Sequence, residues 1–595
     1  MMEDHHDELG RADTREQGGL RPIPVIIGNV FGYTNEVSER IVSASVTANL
    51  IIYLTTKYHL GAATSAIIIF VYQAAANFLP VGGAIVSDAL LGRYLMVTLT
   101  LFSCTIGTSM LFLTSLIPNL TPRDCASPTP LQLLVLCASL GLMALGASGV
   151  RPCCLAFAED QIAHWDDGGG GGARKRRALR ALFSWYYVSV GFAQIVAVTI
   201  LVYFQDQVGW KVGFGISAAV MLCVTLVNLA ASPWYVKVKP EKSVWVSLLQ
   251  VAVVAAKNRN LVLPATRQGV RFHNAPGSRE LVPSEKMRFL NKACVLGDHA
   301  ASANDGGAAS TSPWNTCTVE QVENLKSALS VIPMWSAMIM TFLIQSSSFG
   351  VLQAATMDRR IGTKGFQLPA GSVSIFEIIT FTMWSGCYDR YVVPLLRRAT
   401  GRRQQVLTLK QRMGTGVFLS VVSMAVASAV ETYRIRNAAA ARVDGGSPPG
   451  APQAMSVLWL APQYAIVGLA GAFSSIGQIE FYYAVLPKSM GSFVLALLFL
   501  GAGVASVAAT LVVKTINVVT GRNGMQPWLS NNLDEGHYNY YYLLLAALGA
   551  IDLVYFVVCC YVFDERTLNM SLETAGDAKE MVEFQEASSE HGCGN

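Results

Sequence analysis

The stretch AATSAIIIFVYQAAANFLPVGGAIVSD, from Ala62 to Asp88, meets no charged side chain before its last residue. A helix of about 20 apolar residues crosses the hydrocarbon core of a bilayer, so this run reads as a membrane span. Read outward from it, the chain carries eleven more such runs. The twelve lie at 23–56, 62–88, 94–117, 131–158, 180–205, 211–233, 325–355, 370–396, 407–434, 454–484, 489–519 and 538–563. The chain has 595 residues, 52% hydrophobic and only 14% charged, against roughly 25% charged in soluble domains. A shortage that large means that apolar surface faces lipid rather than a buried core. The class expected is an all-α membrane protein.

Between residues 234 and 324 the pattern breaks. The gap holds Lys237, Lys239, Lys257, Arg259, Arg267, Arg271, Lys286 and Arg288, with a Gly/Ala/Ser tract from Asn304 to Ser312. It reads as a polar cytoplasmic linker. The organisation expected is an N-terminal tail (1–22), a six-helix bundle (23–233), the linker (234–324), a second six-helix bundle (325–563) and a C-terminal tail (564–595). Two such bundles suit a rocking carrier that holds its solute near mid-membrane.

Basic residues in short loops set the orientation. Arg174, Lys175, Arg176 and Arg177 follow span four, and Arg397, Arg398, Arg402 and Arg403 follow span eight. These loops share the linker's side, so both termini are expected in the cytoplasm. Arg359, Arg360 and Arg442 on the other face blur the contrast. The N-terminal tail has no apolar run behind a basic start, which speaks against a cleaved signal peptide. The tail Gly592-Cys593-Gly594-Asn595 carries no retention or peroxisomal address, and the plasma membrane is the expected location.

Several classes drop out. Net charge +5 gives no case for nucleic acid. The twelve cysteines form no Cys-x-x-Cys pair and no zinc spacing, and most lie in apolar runs. The glycine run Gly168 to Gly172 lacks the Lys-Ser/Thr of a phosphate loop. Neither an enzyme nor an ATP-driven pump is expected, and no cofactor or metal is implied.

Charged side chains within spans are costly, so each is a functional candidate. The densest group is Glu36-Val37-Ser38-Glu39-Arg40, mid-way along span one. Spacings of three and four place its ions on one helical face. Arg40 can pair with Glu36 one turn away. A second carboxylate then crowds the same site, where low dielectric disfavours keeping both acids ionised. Such a face can take and release a proton near neutral pH, a reading preferred here over a structural ion pair locking span one to a neighbour. Arg151, in span four, is the second candidate. Gly146 and Gly149 admit close approach, and Pro152 loosens the backbone. Arg stays protonated, so it would hold an anion or a carboxylate; the plain alternative is snorkelling to the surface. Glu377 and Asp552 read as path-lining or helix-end acids. Glu480 and Glu159-Asp160 sit near cytoplasmic ends. Trp185, Tyr186, Tyr187, Trp335 and Trp384 read as pocket, packing or interfacial belt residues.

Several pieces recur in a known order. Glu36-Val-Ser-Glu39-Arg40 fits an ExxER motif. Asp88-Ala-Leu-Leu-Gly92-Arg93-Tyr94, Asp160-Gln161 and Tyr203-Phe-Gln-Asp-Gln-Val-Gly-Trp210 follow. The second half has Cys317-Thr-Val-Glu-Gln-Val-Glu323, Thr356-Met-Asp-Arg359, Tyr388-Asp389-Arg390, Gln411-Arg-Met-Gly414 and Gly477-Gln-Ile-Glu-Phe481. With these, from about residue 20 to 565, the chain resembles the proton-coupled oligopeptide transporter family of the major facilitator superfamily. It is most similar to the plant nitrate and peptide branch.

The resemblance implies a major facilitator fold of twelve transmembrane helices in two six-helix bundles, with solute uptake driven by protons. It makes Glu36, Glu39 and Arg40 the proton-coupling set. Arg151 stands where the family usually has a Lys paired with a Glu of span ten, and Gly471 occupies that Glu position. Arg151 is thus expected to be an uncompensated cation, which favours an anion over a zwitterionic peptide. Leu343 stands where one plant member resembles a nitrate site with a His, and Met96 where it has an affinity-setting Thr. Tyr186-Tyr-Val-Ser-Val-Gly191 departs from the family's usual Phe-Tyr-x-x-Ile-Asn. The substrate-facing positions are therefore Arg151, Leu343 and Gly471, and the gating or structural ones Asp88, Arg93, Asp389 and Arg390. The function expected is proton-coupled symport of a small anion: nitrate, or an organic anion such as a plant hormone or specialised metabolite. The rivals are a di- or tripeptide symporter and a solute-binding membrane sensor that transports little. The partners expected are the solute, protons and the lipid bilayer, with no nucleic acid, in a monomer or weak homodimer.

Overall fold

A computed structural model describes residues 25–122, 126–163, 182, 186, 188–238, 244–261, 272–274, 282–295, 314–361, 366–392, 394–395, 398, 407–443, 455–487, 490–522 and 526–563. For 25–33, 163, 389–390, 441–443 and 492 it describes the backbone only. Both tails, most of the basic loops and the glycine run at 168–172 lie outside the described residues.

The first half is built from α1 (Val25–Thr56), α2 (Ala62–Val86), α3 (Arg93–Leu116), α4 (Pro130–Ala163), α5 (Val188–Val208) and α6 (Trp210–Ala230). The linker contributes α7 (Val244–Lys257). The second half comprises α8 (Val319–Ser336), α9 (Ile339–Gln345), α10 (Phe349–Ala355), α11 (Ile375–Cys387), α12 (Leu409–Val443), α13 (Ala461–Val485), α14 (Gly491–Thr520) and α15 (Tyr538–Val562). A hairpin of β1 (Arg360–Ile361) and β2 (Phe366–Gln367) caps one end.

Among the described residues, each run read as a span falls mainly on helix. Among the described residues, nine helices are long and apolar enough to cross a membrane, and α8 with α9–α10 makes a tenth, bent by 50°. The bend follows Pro333, whose ring removes a backbone donor and crowds the preceding turn. Two helices fall short of that measure for visible reasons: α1 is interrupted by Glu36, Glu39 and Arg40, and α11 has only 13 residues before a π-helical turn at Tyr388–Val392. Large apolar side chains such as Ile551, Val554, Tyr561 and Val562 on α15 stay exposed; lipid is the solvent that tolerates them.

The second half starts earlier than its hydropathy suggests. Thr318 and Gln321 form a reciprocal cap, so α8 begins at Val319, and its polar first turn hid it from a hydropathy reading. The linker is not uniformly polar either. Leu248, Val251, Val254 and Ala255 of α7 are buried, with Val251 and Val254 packed against Cys294, Cys317, Val319 and Val322. This docks α7 onto the foot of α8.

The halves meet along α2 and α14, where a Cβ at Gly503 would lie 2.9 Å from the Phe78 ring, and again at the end remote from Val25 and Val562. There Asp206, at the end of α5, accepts from Arg359 Nη1 at 3.0 Å, and Asn531 accepts from the backbone of Ala62 at 3.1 Å. Tyr203 stacks on Phe366 at 6.3 Å. Gly371 lies against α1 so closely that a Cβ there would sit 2.8 Å from the Ala48 carbonyl. At the opposite end the ion pairs among the described residues stay within one half: Arg93 with Asp160, and Arg412 with Glu480. At the remote end these contacts span the two halves.

Asp206 and Arg359 join the halves directly, so reversing one charge sets like charges together at a cost of several kcal/mol. Asp206→Arg or Arg359→Asp should lower initial uptake by about fivefold or more, and the double reversal should recover much of it. Equal loss in the double variant would show that the pair does not govern closure.

Candidate functional site

Arg151 is set by how α4 packs. A Cβ at Gly146 would lie 2.4 Å from the Cys104 side chain, and one at Gly149 would lie 2.5 Å from the Thr100 hydroxyl. These two glycines let α4 press on α3, as their sequence position suggested. From there the guanidinium reaches α1. Its Nε and Nη2 donate to the two oxygens of Glu39 at 3.1 and 3.0 Å. Nη2 also donates to Ser43 at 3.1 Å, and Nη1 to the Ala76 carbonyl at 3.4 Å. The Ser43 hydroxyl lies 3.0 Å from that of Tyr72. This is the two-pronged geometry that makes Arg, rather than Lys, suited to a carboxylate.

One turn earlier on α1 lies a second pair. Arg40 donates through Nε and Nη2 to Glu36 Oε1, at 3.0 and 2.9 Å. Tyr186 donates to the same oxygen at 2.8 Å, while Glu36 Oε2 has no hydrogen-bond partner among the described residues. Glu36 is 0% exposed and Glu39 1%. The four ions therefore form a cluster of two buried carboxylates and two partly buried guanidiniums, with formal charges that cancel.

This corrects the expectation that Arg151 is uncompensated. Gly471 was expected to leave Arg151 without an acid, yet α1 supplies Glu39. The physical reason is the cost of leaving a charge unpaired away from water, several kcal/mol. The sequence pairing of Arg40 with Glu36 agrees with the geometry. The role of Tyr186 as donor was missed; it sits where the family signature is altered, and that departure was its only signal.

The remaining positions lie elsewhere. Leu343 is 4% exposed within the main apolar core, away from the ion cluster. Gly471 packs beside Gln345: a Cβ there would lie 2.9 Å from Gln345 Nε2 and 3.5 Å from Phe381. The Gln345 amide thus fills the space where a side chain at 471 would begin. Asp88 lies in a π-helical turn, Ser87–Leu91, just ahead of Arg93. Arg93 donates to Asp160 at 2.6 Å and to the Ala156 carbonyl at 3.2 Å, tying α3 to α4. Asp389 and Arg390 have side chains outside the described residues. Arg412 pairs with Glu480 and lies 4.6 Å over the Tyr388 ring.

A further network went unread in the sequence. Arg434 is fully buried; its Nε and Nη2 donate to Glu431 at 2.8 Å each, and Nη1 to Asp534 at 2.7 Å. Glu431 also accepts from Gln353. The Glu431/Arg434 spacing of three was its legible trace.

Comparison with known proteins follows this geometry. The profile of the POT family matches residues 94–529. Protein NRT1/PTR FAMILY 1.2 of Arabidopsis thaliana is 39% identical over 560 residues, 92% of this chain and 90% of its own length. Protein NRT1/PTR FAMILY 1.1 of the same plant is 38% identical over 558 residues, 92% of each chain. Among solved structures, an auto-inhibited POT family peptide transporter gives a TM-score of 0.63 at 18% identity, over 90% of this chain and 96% of that one. The POT family transporter PepTSo gives 0.62 at 16%, over 92% and 99%. At such identities the structural likeness carries the fold alone.

The two-pronged Arg151–Glu39 contact gives a direct test of geometry against charge. Arg151→Lys keeps the charge but makes fewer hydrogen bonds, each worth ~1.5–3 kcal/mol when a charged group is involved. Uptake should fall about tenfold or more with surface abundance unchanged. Wild-type uptake in that variant would mean that charge alone suffices.

Proposed function

The chain belongs to the POT family of membrane transporters, and on that premise we propose that it couples the uptake of a small anion to protons. The anion is nitrate, or an organic anion such as a plant hormone or specialised metabolite. One observation carries the reading: the two-pronged contact between Arg151 and Glu39, within a cluster whose charges cancel.

While both carboxylates are ionised, the cluster has no net charge to draw an anion. A proton on Glu39 removes the counter-charge of Arg151 and leaves a guanidinium with free donors. An anion then restores neutrality. Proton and anion thus strengthen each other's binding, and by linkage the effect is reciprocal. Glu36 keeps Arg40 engaged through the same step, with Tyr186 supplying a further donor. Arg93–Asp160 and Asp206–Arg359 act as tie points at the two ends.

The glycine at 471 supports an anion over a peptide. With no carboxylate there, the amino end of a peptide lacks its counter-ion at that position. The same glycine gives the sensor reading its footing. We place the carrier in the plasma membrane as a monomer or weak homodimer, with both termini cytoplasmic.

The test is tracer uptake in oocytes at acidic and neutral external pH, with nitrate, a dipeptide and plant organic acids. Uptake of nitrate or an acid that depends on low pH is the result expected. Arg151→Ala should abolish it, and Glu39→Gln should leave transport indifferent to pH. Dipeptide uptake alone would overturn the anion assignment. Binding without flux, at confirmed surface expression, would select the sensor.

A further inference from the structure

The linker helix α7 is apolar on two faces, and the packing of the chain accounts for one of them. Its 14 residues carry a single charge, Lys257, at the last position. Leu248, Val251, Val254 and Ala255 are buried against the second half. Another stripe, Leu249, Ala252, Val253 and Ala256, repeats at spacings of three and four and is exposed. Leu249 is 57% exposed and Val253 43%. Beside α7 the turn Arg288–Asn291 packs through Leu290 and leaves Phe289 exposed. A helix that is apolar all round needs an apolar neighbour on each side.

The position of α7 says what the second neighbour is. Trp245 packs on Phe493 at 4.7 Å, in the first turn of α14. Leu248 shares an apolar cluster with Phe563, just past the end of α15. Both α14 and α15 are long and apolar enough to cross a membrane. The helix α7 therefore begins level with the ends of two spans, at the depth of lipid headgroups. Tryptophan is favoured at that depth. A soluble partner would reach the exposed stripe only by displacing lipid from it.

The surrounding charge selects a headgroup. Lys257 and Arg259, at the C-terminal end of α7, are exposed. Lys292 is held beside them by donating to the Arg259 carbonyl at 2.6 Å. The linker's ion pairs among the described residues are Arg288 with Glu285 and Lys326 with Glu323, so none of these three cations has an acidic partner there. From Tyr235 to Cys317 the sequence holds eleven basic residues against five acidic ones. An apolar helix face at headgroup depth, edged by Lys and Arg, is the pattern of an interfacial helix on anionic lipid.

We propose that the exposed stripe of α7 lies in the membrane interface and that Lys257, Arg259 and Lys292 bind anionic lipid headgroups, which makes the linker a lipid-selective anchor for the second half. The experiment reconstitutes the full chain in phosphatidylcholine vesicles with a trace of photoreactive lipid. That lipid is phosphatidylserine or phosphatidylcholine, with the same reactive group near the top of its acyl chain. After irradiation, labelled peptides are mapped by mass spectrometry. Phosphatidylserine should label residues 244–257 at least about fivefold more than phosphatidylcholine, the factor that one basic residue near an anionic surface contributes. Peptides of α15 should label equally from both. Lys257→Glu, Arg259→Glu and Lys292→Glu together should remove the preference. Leu249→Asp with Val253→Asp should remove labelling of α7 by either lipid. Excess soluble glycerophosphoserine should not compete.

Equal labelling of α7 by the two lipids would overturn the headgroup selectivity and with it the proposal. Labelling of α15 without α7 would overturn the contact with lipid and leave the stripe to a protein partner. Competition by glycerophosphoserine would overturn the lipid assignment in favour of a soluble anion. Should a variant fail to reconstitute, the wild-type ratio decides: about fivefold or more supports the proposal, and a lower ratio overturns it. None of these outcomes depends on which solute the chain carries.

Discussion

A charge inside a membrane protein has no water to lean on, so it must find its partner in the chain. The architecture of the first half follows from that demand. Glu36, Glu39 and Arg40 stand on one face of α1, and three ions of that sign pattern leave one negative charge over. Arg151 cancels it. To deliver Arg151, α4 must come close to α3, and it does so through glycines at 146 and 149, where any Cβ would collide with Cys104 or Thr100. The small residues on α4 and the ions on α1 are thus parts of a single device. One sets the distance and the other requires it.

The second half meets the same demand in two ways. At the remote end Glu431, Arg434 and Asp534 form a closed network with every arginine nitrogen engaged. Near the middle, Glu377 has no ion pair among the described residues and lines a small cavity with amides and phenols. The saturated network ties its elements together and acts as a strut.

Much of this was legible from the residues. Length and hydropathy placed the long apolar helices, because apolar runs are dictated by lipid. They misjudged the start of α8, because its first turn is held by a Thr318–Gln321 cap rather than by apolar residues. They also overlooked the buried face of α7, because a linker rich in Lys and Arg masks four apolar positions in its average. The i,i+4 pairing of Glu36 with Arg40 followed from helix geometry alone. The pairing of Glu39 with Arg151 bridges 112 residues, and no local spacing encodes it. Nor does sequence reveal that Gln345 fills the space beside Gly471, since a missing side chain is visible in a sequence but its replacement is not.

That last point changes the meaning of the altered span-ten position. From the sequence, loss of an acid at 471 leaves a permanent positive charge on Arg151, and a permanent charge would bind anions at any pH. With Glu39 as its partner, the charge on Arg151 becomes conditional under the coupling proposed above, hidden in the ion pair and uncovered when the pair is broken. Only a conditional charge can couple two gradients, because a site that binds its anion regardless of the proton runs downhill for the anion alone. The glycine at 471 therefore does not leave Arg151 without a counter-charge: Glu39 is its acidic partner.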